Sequence, residues 1–231
     1  MHRFYDRIIM PIISSYKSEK IVEIGADLGY NTSKILEYCK DSGAQLTVID
    51  PYPRFDEEEL KEKHPYLSVK KTLSLNALGD IDDYDTILID GDHNWYTVYH
   101  ELKLIEQKSM KKGKFPLIFL HDTDWPYARR DMYYIPDSIP SKYRHSYAKK
   151  GLVPGSLSLS DDSTINPWFN HALYEGGKRN GVLTAVEDFL EETPLPFFFH
   201  KAYSNNGLGI IIPEDQPLNK IVTRIVEESG L

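Results

Sequence analysis

Cysteine is nearly missing from this 231-residue chain: Cys39 stands alone. No disulfide can form within the chain, and a reducing compartment is the expected setting. A basic surplus is missing as well. The net charge of -8 leaves no positive face to meet a phosphate backbone, which argues against a general nucleic-acid binder, although local basic clusters can still grip a small anion. Long apolar runs are absent. Near the N-terminus the longest is 8–13, broken by Pro11, too short for a signal-peptide core or a membrane span. There is no internal repeat and no low-complexity tract. The expectation is a cytoplasmic protein with neither a membrane nor a nucleic acid as partner. Hydrophobic residues at 41% and charged residues at 27% fit a soluble globular chain, long enough for one sizeable α/β domain.

Around residues 20–32, KIVEIGADLGYNT, the rest of the chain is organised. An apolar strand (Ile21, Val22, Ile24) carries one acid, Glu23, and runs into a glycine turn. A helix is expected over about 31–38. Gly25 and Gly29 permit backbone angles that other residues resist and leave room for a ligand against the main chain. The helix start behind them offers free N–H groups and a partial positive charge.

Further along, apolar strands alternate with helices. A leading helix is expected over 1–19, which Pro11 should disturb. Strands are expected at 45–50, 66–72, 84–90 and 115–120. Helices are expected from the acidic run 56–59 and over 94–110, the latter with Trp95, Val98, Leu102 and Ile105 on one face. This alternation predicts a parallel sheet with helices on both faces. The ligand crevice of such a sheet lies outside the carboxyl ends of its strands. Glu23, Asp50, Asp90 and the His121–Asp122 pair all fall at strand ends, so they are expected to converge on one edge. The pattern breaks over about 125–178, rich in Trp and Tyr with many Pro, Gly and Ser. It is too aromatic for a disordered linker, and a long insertion after a site-bearing strand reads as a lid or binding loop. Helical periodicity returns at 182–190. Two strands, 197–203 and 208–212, then flank a Ser-Asn-Asn-Gly turn as a closing antiparallel hairpin.

Glu23-x-Gly25-x-x-x-Gly29 departs from the dinucleotide fingerprint G-x-G-x-x-G. Asp27 stands where a pyrophosphate would be repelled, and it suits a cationic or hydroxyl-bearing ligand. The plainer reading is an ordinary strand-to-helix turn. Asp50, ending the second strand, can grip both hydroxyls of a ribose through its two oxygens. The plainer reading there is a solvated strand end beside Pro51.

E-x-G-x-x-x-G followed by an acid ending strand two resembles the class I S-adenosylmethionine-dependent methyltransferases. The resemblance covers roughly 20–124 and the closing hairpin. It implies a Rossmann-like α/β fold: a seven-stranded, mostly parallel sheet with helices on both faces and an antiparallel last strand. The chain would be a single methyltransferase domain over 1–231, carrying the insertion as a substrate lid. It also implies S-adenosylmethionine as cofactor, with Glu23, Gly25, Asp27 and Gly29 walling its methionine part, Asp50 on its ribose and Ser74 near its adenine.

A second constellation is Asp90-Gly91-Asp92-His93 with His121-Asp122-Thr123-Asp124. Acids and imidazoles at the ends of adjacent strands can together bind one divalent ion, Mg²⁺ or Mn²⁺ by oxygen content, with histidine favouring Mn²⁺, Fe²⁺ or Zn²⁺. Alternatively, Asp92 or Asn94 simply caps the following helix. The IDGDH and HD pair resembles the metal-dependent small-molecule O-methyltransferases, both the catechol type and the sugar enzymes of macrolide biosynthesis. That resemblance implies metal ligands at Asp90, His121 and Asp122, and a general base at His93. The sequence departs from the pattern at His121, where the family usually has an acid. His93 has a case of its own, because a hydroxyl holds its proton tightly and histidine titrates near neutral pH. Asp90 and His93 are the expected catalytic residues.

The aromatic insertion is the expected substrate wall. Trp125 offers a face for stacking, Arg129 and Arg130 can grip a carboxylate or phosphate, and Asn170 and His171 are further candidate contacts. The function expected is methyl transfer to a small molecule, with a hydroxyl of a sugar or secondary metabolite as acceptor and homo-oligomerisation left open. Three rivals stand beside it: a nicotinamide-dependent oxidoreductase, a metal-dependent hydroxylase on the same fold, and a non-catalytic module that binds S-adenosylmethionine.

Overall fold

The computed structural model describes residues 1–231. Five strands alternate with helices: β1 (Lys20–Ile24), α2 (Tyr30–Ser42), β2 (Gln45–Ile49), α3 (Glu57–Lys63), β3 (Leu67–Lys70), α4 (Ser74–Ala77), β4 (Thr86–Ile89), α5 (Trp95–Lys112) and β5 (Leu117–His121), preceded by α1 (Met10–Tyr16). The insertion supplies β6 (Met132–Tyr133), β7 (Tyr147–Lys149) and β8 (Asn170–Ala172). The chain closes with α6 (Val182–Glu192), β9 (Phe197–Ala202), β10 (Leu208–Pro213) and α7 (Gln216–Ser229).

Seven strands form the main sheet in the order β3-β2-β1-β4-β5-β10-β9. β1 to β5 run parallel, and β10 lies antiparallel to both β5 and β9. Beyond β1 the chain moves outward to β3, then returns to place β4 on the other side of β1. This reversal opens a crevice at the carboxyl ends of β1 and β4. No helix is long and apolar enough to cross a membrane.

Alternating side chains send each strand into two cores. Ile87 and Ile89 face α5 and α6, where Val98, Leu102, Ile105, Val186 and Phe189 cover them. Leu88 faces the other way, with Phe4, Ile8, Ile12, Ile35, Leu36, Leu218 and Val222 on that side. Each such fully buried aliphatic or aromatic side chain contributes about 1.5–3 kcal/mol. The two cores clamp the sheet and hold its strand ends in fixed register, with Glu23 opposite Val48 and Leu88.

Several expectations need adjusting. The leading segment is helical but not one helix. A 3-10 turn (His2–Phe4) leads into a π-helix (Tyr5–Ile9) and then α1, with Pro11 in the first turn of α1. Proline lacks an N–H and crowds the preceding turn, and a widened turn just before it relieves that crowding. α2 continues past 38 to Ser42, where Gly43 ends it in a left-handed conformation. α7 went unrecognised in the sequence, although Leu218, Val222, Ile225 and Val226 have helical spacing and Asp215 caps it by accepting from Leu218 N. The three-stranded antiparallel sheet β6-β8-β7 within the insertion was also missed, because its strands are only two or three residues long.

Candidate active site

β1 ends against β4 at main-chain contact distance. At Gly25 (φ +81°) a Cβ would lie 2.3 Å from the Asp90 carbonyl oxygen and 2.5 Å from Gly91 Cα. Only glycine fits there, and the left-handed angle also favours it. Asp27 takes a left-handed φ of 49°, and its main-chain oxygen accepts from Arg54 N at 2.7 Å. The two side chains form an ion pair over the turn. Asp50 braces the turn from β2. Its Oδ2 accepts the N–H groups of Ala26 (2.8 Å) and Asp27 (3.0 Å), and its Oδ1 accepts Tyr52 N (2.8 Å).

A cavity of about 570 Å³ opens beside this turn, in the size range of small-molecule sites. Gly25, Asp27, Asp50 and Ser74 line it, together with Tyr52, Arg54, Asp90 and Asp92. Two of the expected cofactor residues do not. Glu23 lies beneath the turn, where its carboxylate accepts Asn31 Nδ2 (2.8 Å) and Thr32 Oγ1 (2.6 Å). Burial pushes its carboxyl up to about 7, against the lowering effect of those two bonds. Gly29 (φ +77°) starts α2 with the Phe55 ring behind it. Both shape the loop from outside the cavity.

At the ends of β4 and β5 the acids and imidazoles meet. His93 Nδ1 lies 2.8 Å from Asp122 Oδ2. His121 Nδ1 lies 3.0 Å from both Asp122 Oδ2 and Asp90 Oδ1. The Met1 amino group donates to Asp90 Oδ2 at 2.8 Å. His121 Nε2 faces the Asn205 carbonyl oxygen at 3.0 Å. Carboxylate and carbonyl oxygens only accept, so both nitrogens of His121 carry protons and the ring is an imidazolium. Burial alone would lower its pKa, but Asp90 and Asp122 outweigh burial and raise it to about 10. Burial would raise Asp122, yet His93 and His121 hold it well below the usual carboxylate range. For His93, burial is likewise outweighed by Asp122, and the pKa is raised. With Nδ1 committed to Asp122, Nε2 is the nitrogen left to meet a substrate.

The expected metal ligand His121 therefore has no lone pair to offer. The donor atoms that do cluster, within 4.8 Å of one another, belong to Asp90, His93 and Asp122. A divalent ion among them would face the His121 imidazolium already bridging both carboxylates, so this arrangement does not fit an ion while His121 keeps that proton. Helix capping falls to Asn94, whose Oδ1 accepts Thr97 N at 2.9 Å. Asp92 Oδ2 accepts from Thr97 Oγ1.

The five insertion residues expected to touch substrate are not among those lining the cavity. Trp125 packs on the small cluster of Tyr127, Met132 and Leu152. Arg129 pairs with Glu187 and Thr184 on α6. Arg130 is buried, its guanidinium donating to the carbonyl oxygens of Ala172 (2.6 Å) and Leu157 (2.9 Å). Asn170 donates to the Tyr133 carbonyl oxygen. His171 is buried between Lys150 O and the Tyr127 hydroxyl. Arg130, Asn170 and His171 thus satisfy polar needs of the insertion's own framework. In their place Tyr134, Ile135, Ser138, Ile139 and Phe169 reach the cavity, with Tyr96 and Thr97 of α5 opposite. A faint signal was readable for Tyr134 and Phe169, as members of the aromatic insertion. None existed for Ile135 and Ile139, because the turn at Pro136–Ser138 decides which side they face.

Seven strands, mostly parallel with β10 reversed, form the Rossmann-like α/β fold of the S-adenosylmethionine-dependent methyltransferases. An S-adenosylhomocysteine-bound methyltransferase from Podospora anserina shares it with a TM-score of 0.54 at 16% identity, over 89% of this chain and 77% of that one. A protein from Pyrococcus horikoshii OT3 matches with a TM-score of 0.51 at 10% identity, over 92% and 91% of the two chains. Residues 22–123, from β1 to just past β5, match the family model described as a methyltransferase domain; the insertion lies beyond that match. No curated protein matches the chain.

Proposed function

We propose that the chain transfers a methyl group from S-adenosylmethionine to a hydroxyl of a small molecule, a sugar or another secondary metabolite, with His93 as general base. Bound in the cavity, the cofactor would supply an electrophilic methyl group on a sulfonium. Gly25, Asp27, Asp50 and Ser74 are the residues that would hold it. The observation that carries the reading is the Asp122–His93 pair, which sits behind the lining residues Asp90, Asp92 and Tyr134. Asp122 fixes the Nδ1 proton and supports positive charge on the ring, so Nε2 can take the proton from an attacking hydroxyl. Asp90 and the His121 imidazolium fix the electrostatics around that pair. The chain's main contribution is alignment of acceptor and methyl donor. In this reading the 125–178 insertion closes the cavity through Tyr134, Ile135, Ile139 and Phe169, and no step passes through a metal ion.

Calorimetry with S-adenosylmethionine is the direct test, repeated with Mg²⁺ and with EDTA. Binding at micromolar concentration is expected, unchanged by either addition. Absence of binding would end the methyltransferase reading. Binding combined with turnover that EDTA abolishes would restore the metal.

A further inference from the structure

His93 is held from two sides. From the sheet, Asp122 takes its Nδ1. From the insertion, Met132 N donates to its main-chain oxygen at 2.9 Å, and two rings flank its own: Tyr127, stacked at 5.3 Å, and Tyr134, tilted at 5.7 Å. All three belong to one short stretch, and Asp131 lies within it.

Asp131 is completely buried and does not line the cavity. Its Oδ1 accepts the N–H groups of Trp95 and Gly181, both at 2.7 Å. Its Oδ2 accepts the Tyr133 hydroxyl at 2.8 Å. Its main-chain N–H donates to Asn180 Oδ1 (2.7 Å), and its carbonyl oxygen accepts Ala172 N (2.9 Å). Trp95 and Gly181 stand at the starts of α5 and α6. One carboxylate thus meets two helix N-termini, where unpaired N–H groups and the positive dipole end favour negative charge. Gly181 permits the approach: a Cβ there would lie 2.5 Å from both Ala128 O and Arg130 N. The insertion is bolted to the helix layer of α5 and α6 at the point from which it reaches His93.

We propose that Asp131 is a positioning residue for His93: by pinning β6 to the starts of α5 and α6, it sets the plane of the His93 ring and so keeps Nδ1 on Asp122, which fixes the tautomer. This rests on the assignment of His93 as the base. Asp131 acts through Met132, Tyr127 and Tyr134, and meets neither cofactor nor acceptor.

The test compares the wild type with Asp131→Ala and Asp131→Asn, using ring nitrogen-15 signals assigned to His93 by their loss in His93→Gln. S-adenosylhomocysteine affinity is measured alongside. The wild type should show one fixed tautomer, protonated at Nδ1. Asp131→Ala should lose that single signal, with cofactor affinity changed by less than about threefold, since Asp131 does not line the cavity. Asp131→Asn keeps an acceptor oxygen for both helix starts and should restore the signal. If Asp131→Ala does not fold, Asn180→Ala, which releases the same main chain, must disturb the His93 signal. A His93 signal unchanged in folded Asp131→Ala or Asn180→Ala overturns the proposal, as does an Asp131→Asn spectrum as disturbed as that of Asp131→Ala. Failure of the wild type to bind S-adenosylhomocysteine would count against the methyltransferase reading alone, because the ring signals are read without ligand.

Discussion

The carboxyl ends of β1 and β2 and those of β4 and β5 both carry buried or half-buried acids, but the acids have different partners. Glu23 and Asp50 are met by groups that do not titrate: an amide, a hydroxyl and three main-chain N–H groups. Asp90 and Asp122 are met by two imidazoles and an amino group. The partners of the first pair can only hold a shape. The second can move a proton without moving an atom far. In the proposed reading, holding the cofactor and handling the acceptor's proton would thus fall to two neighbouring stretches of one sheet edge with different partner chemistry.

Removing the proposed base should separate the two halves most sharply. His93→Ala is expected to lower methyl transfer by about 10²–10⁴-fold, the usual contribution of a positioned general base. Cofactor affinity should stay near the wild-type value, because His93 does not line the cavity. Calorimetry and initial rates on the two proteins check this. An equal loss of binding and turnover would mean the halves are not separate.

Gly25→Ala attacks the seam between them. The added Cβ would overlap the main chain at Asp90 and Gly91 in a left-handed backbone. The strain should cost roughly 1–3 kcal/mol of stability and weaken cofactor binding, because the turn and the end of β4 must move apart. Denaturant unfolding and calorimetry measure both effects. Wild-type behaviour in both would show that the seam is soft.

How much of this was legible beforehand follows the same boundary. Strand ends are set by hydrophobic alternation and by acids adjoining apolar runs, so Glu23, Asp50, Asp90 and Asp122 could be placed on one edge from sequence. Direction within that edge was not legible. Glu23 turns beneath the loop because Asn31 and Thr32, in the first turn of α2, offer it donors. His121 looked like a metal ligand until Asn205, brought in by the closing hairpin, took its second nitrogen. The insertion was least legible. Its polar residues serve long-range main-chain partners, as Arg130 does at Ala172 and Leu157, and such pairings have no period to read.

A smaller effect distinguishes the halves by pH. Glu23 is pushed from 4.5 to about 7 by burial, so the folded state holds that proton longer than the unfolded one. Its contribution to stability should fall as pH rises from about 4.5 to about 7. His121 is raised from 6.5 to about 10 by Asp90 and Asp122 despite burial. Its stabilisation should be complete below about 6.5 and lost as pH rises through about 10. Unfolding free energy measured across pH should therefore lose its lower slope in Glu23→Gln and its upper slope in His121→Gln. If either substitution flattened both windows, the two clusters would be electrostatically one.

The smallest expected effect falls outside both halves. Arg129, read from sequence as an anion grip, spends its guanidinium on Glu187 and Thr184 along α6. The pair is about half exposed, and exposed ion pairs contribute about 0–1 kcal/mol. Arg129→Ala should shift stability by no more than that and leave both cofactor affinity and turnover at wild-type values. The comparison is informative because the neighbouring Arg130 is buried. Truncating it strands the buried Ala172 carbonyl oxygen, costing about 1–3 kcal/mol when left unpaired. A drop in turnover for Arg129→Ala, with stability intact, would put a negatively charged acceptor back in play and bring the outer face of α6 into the site.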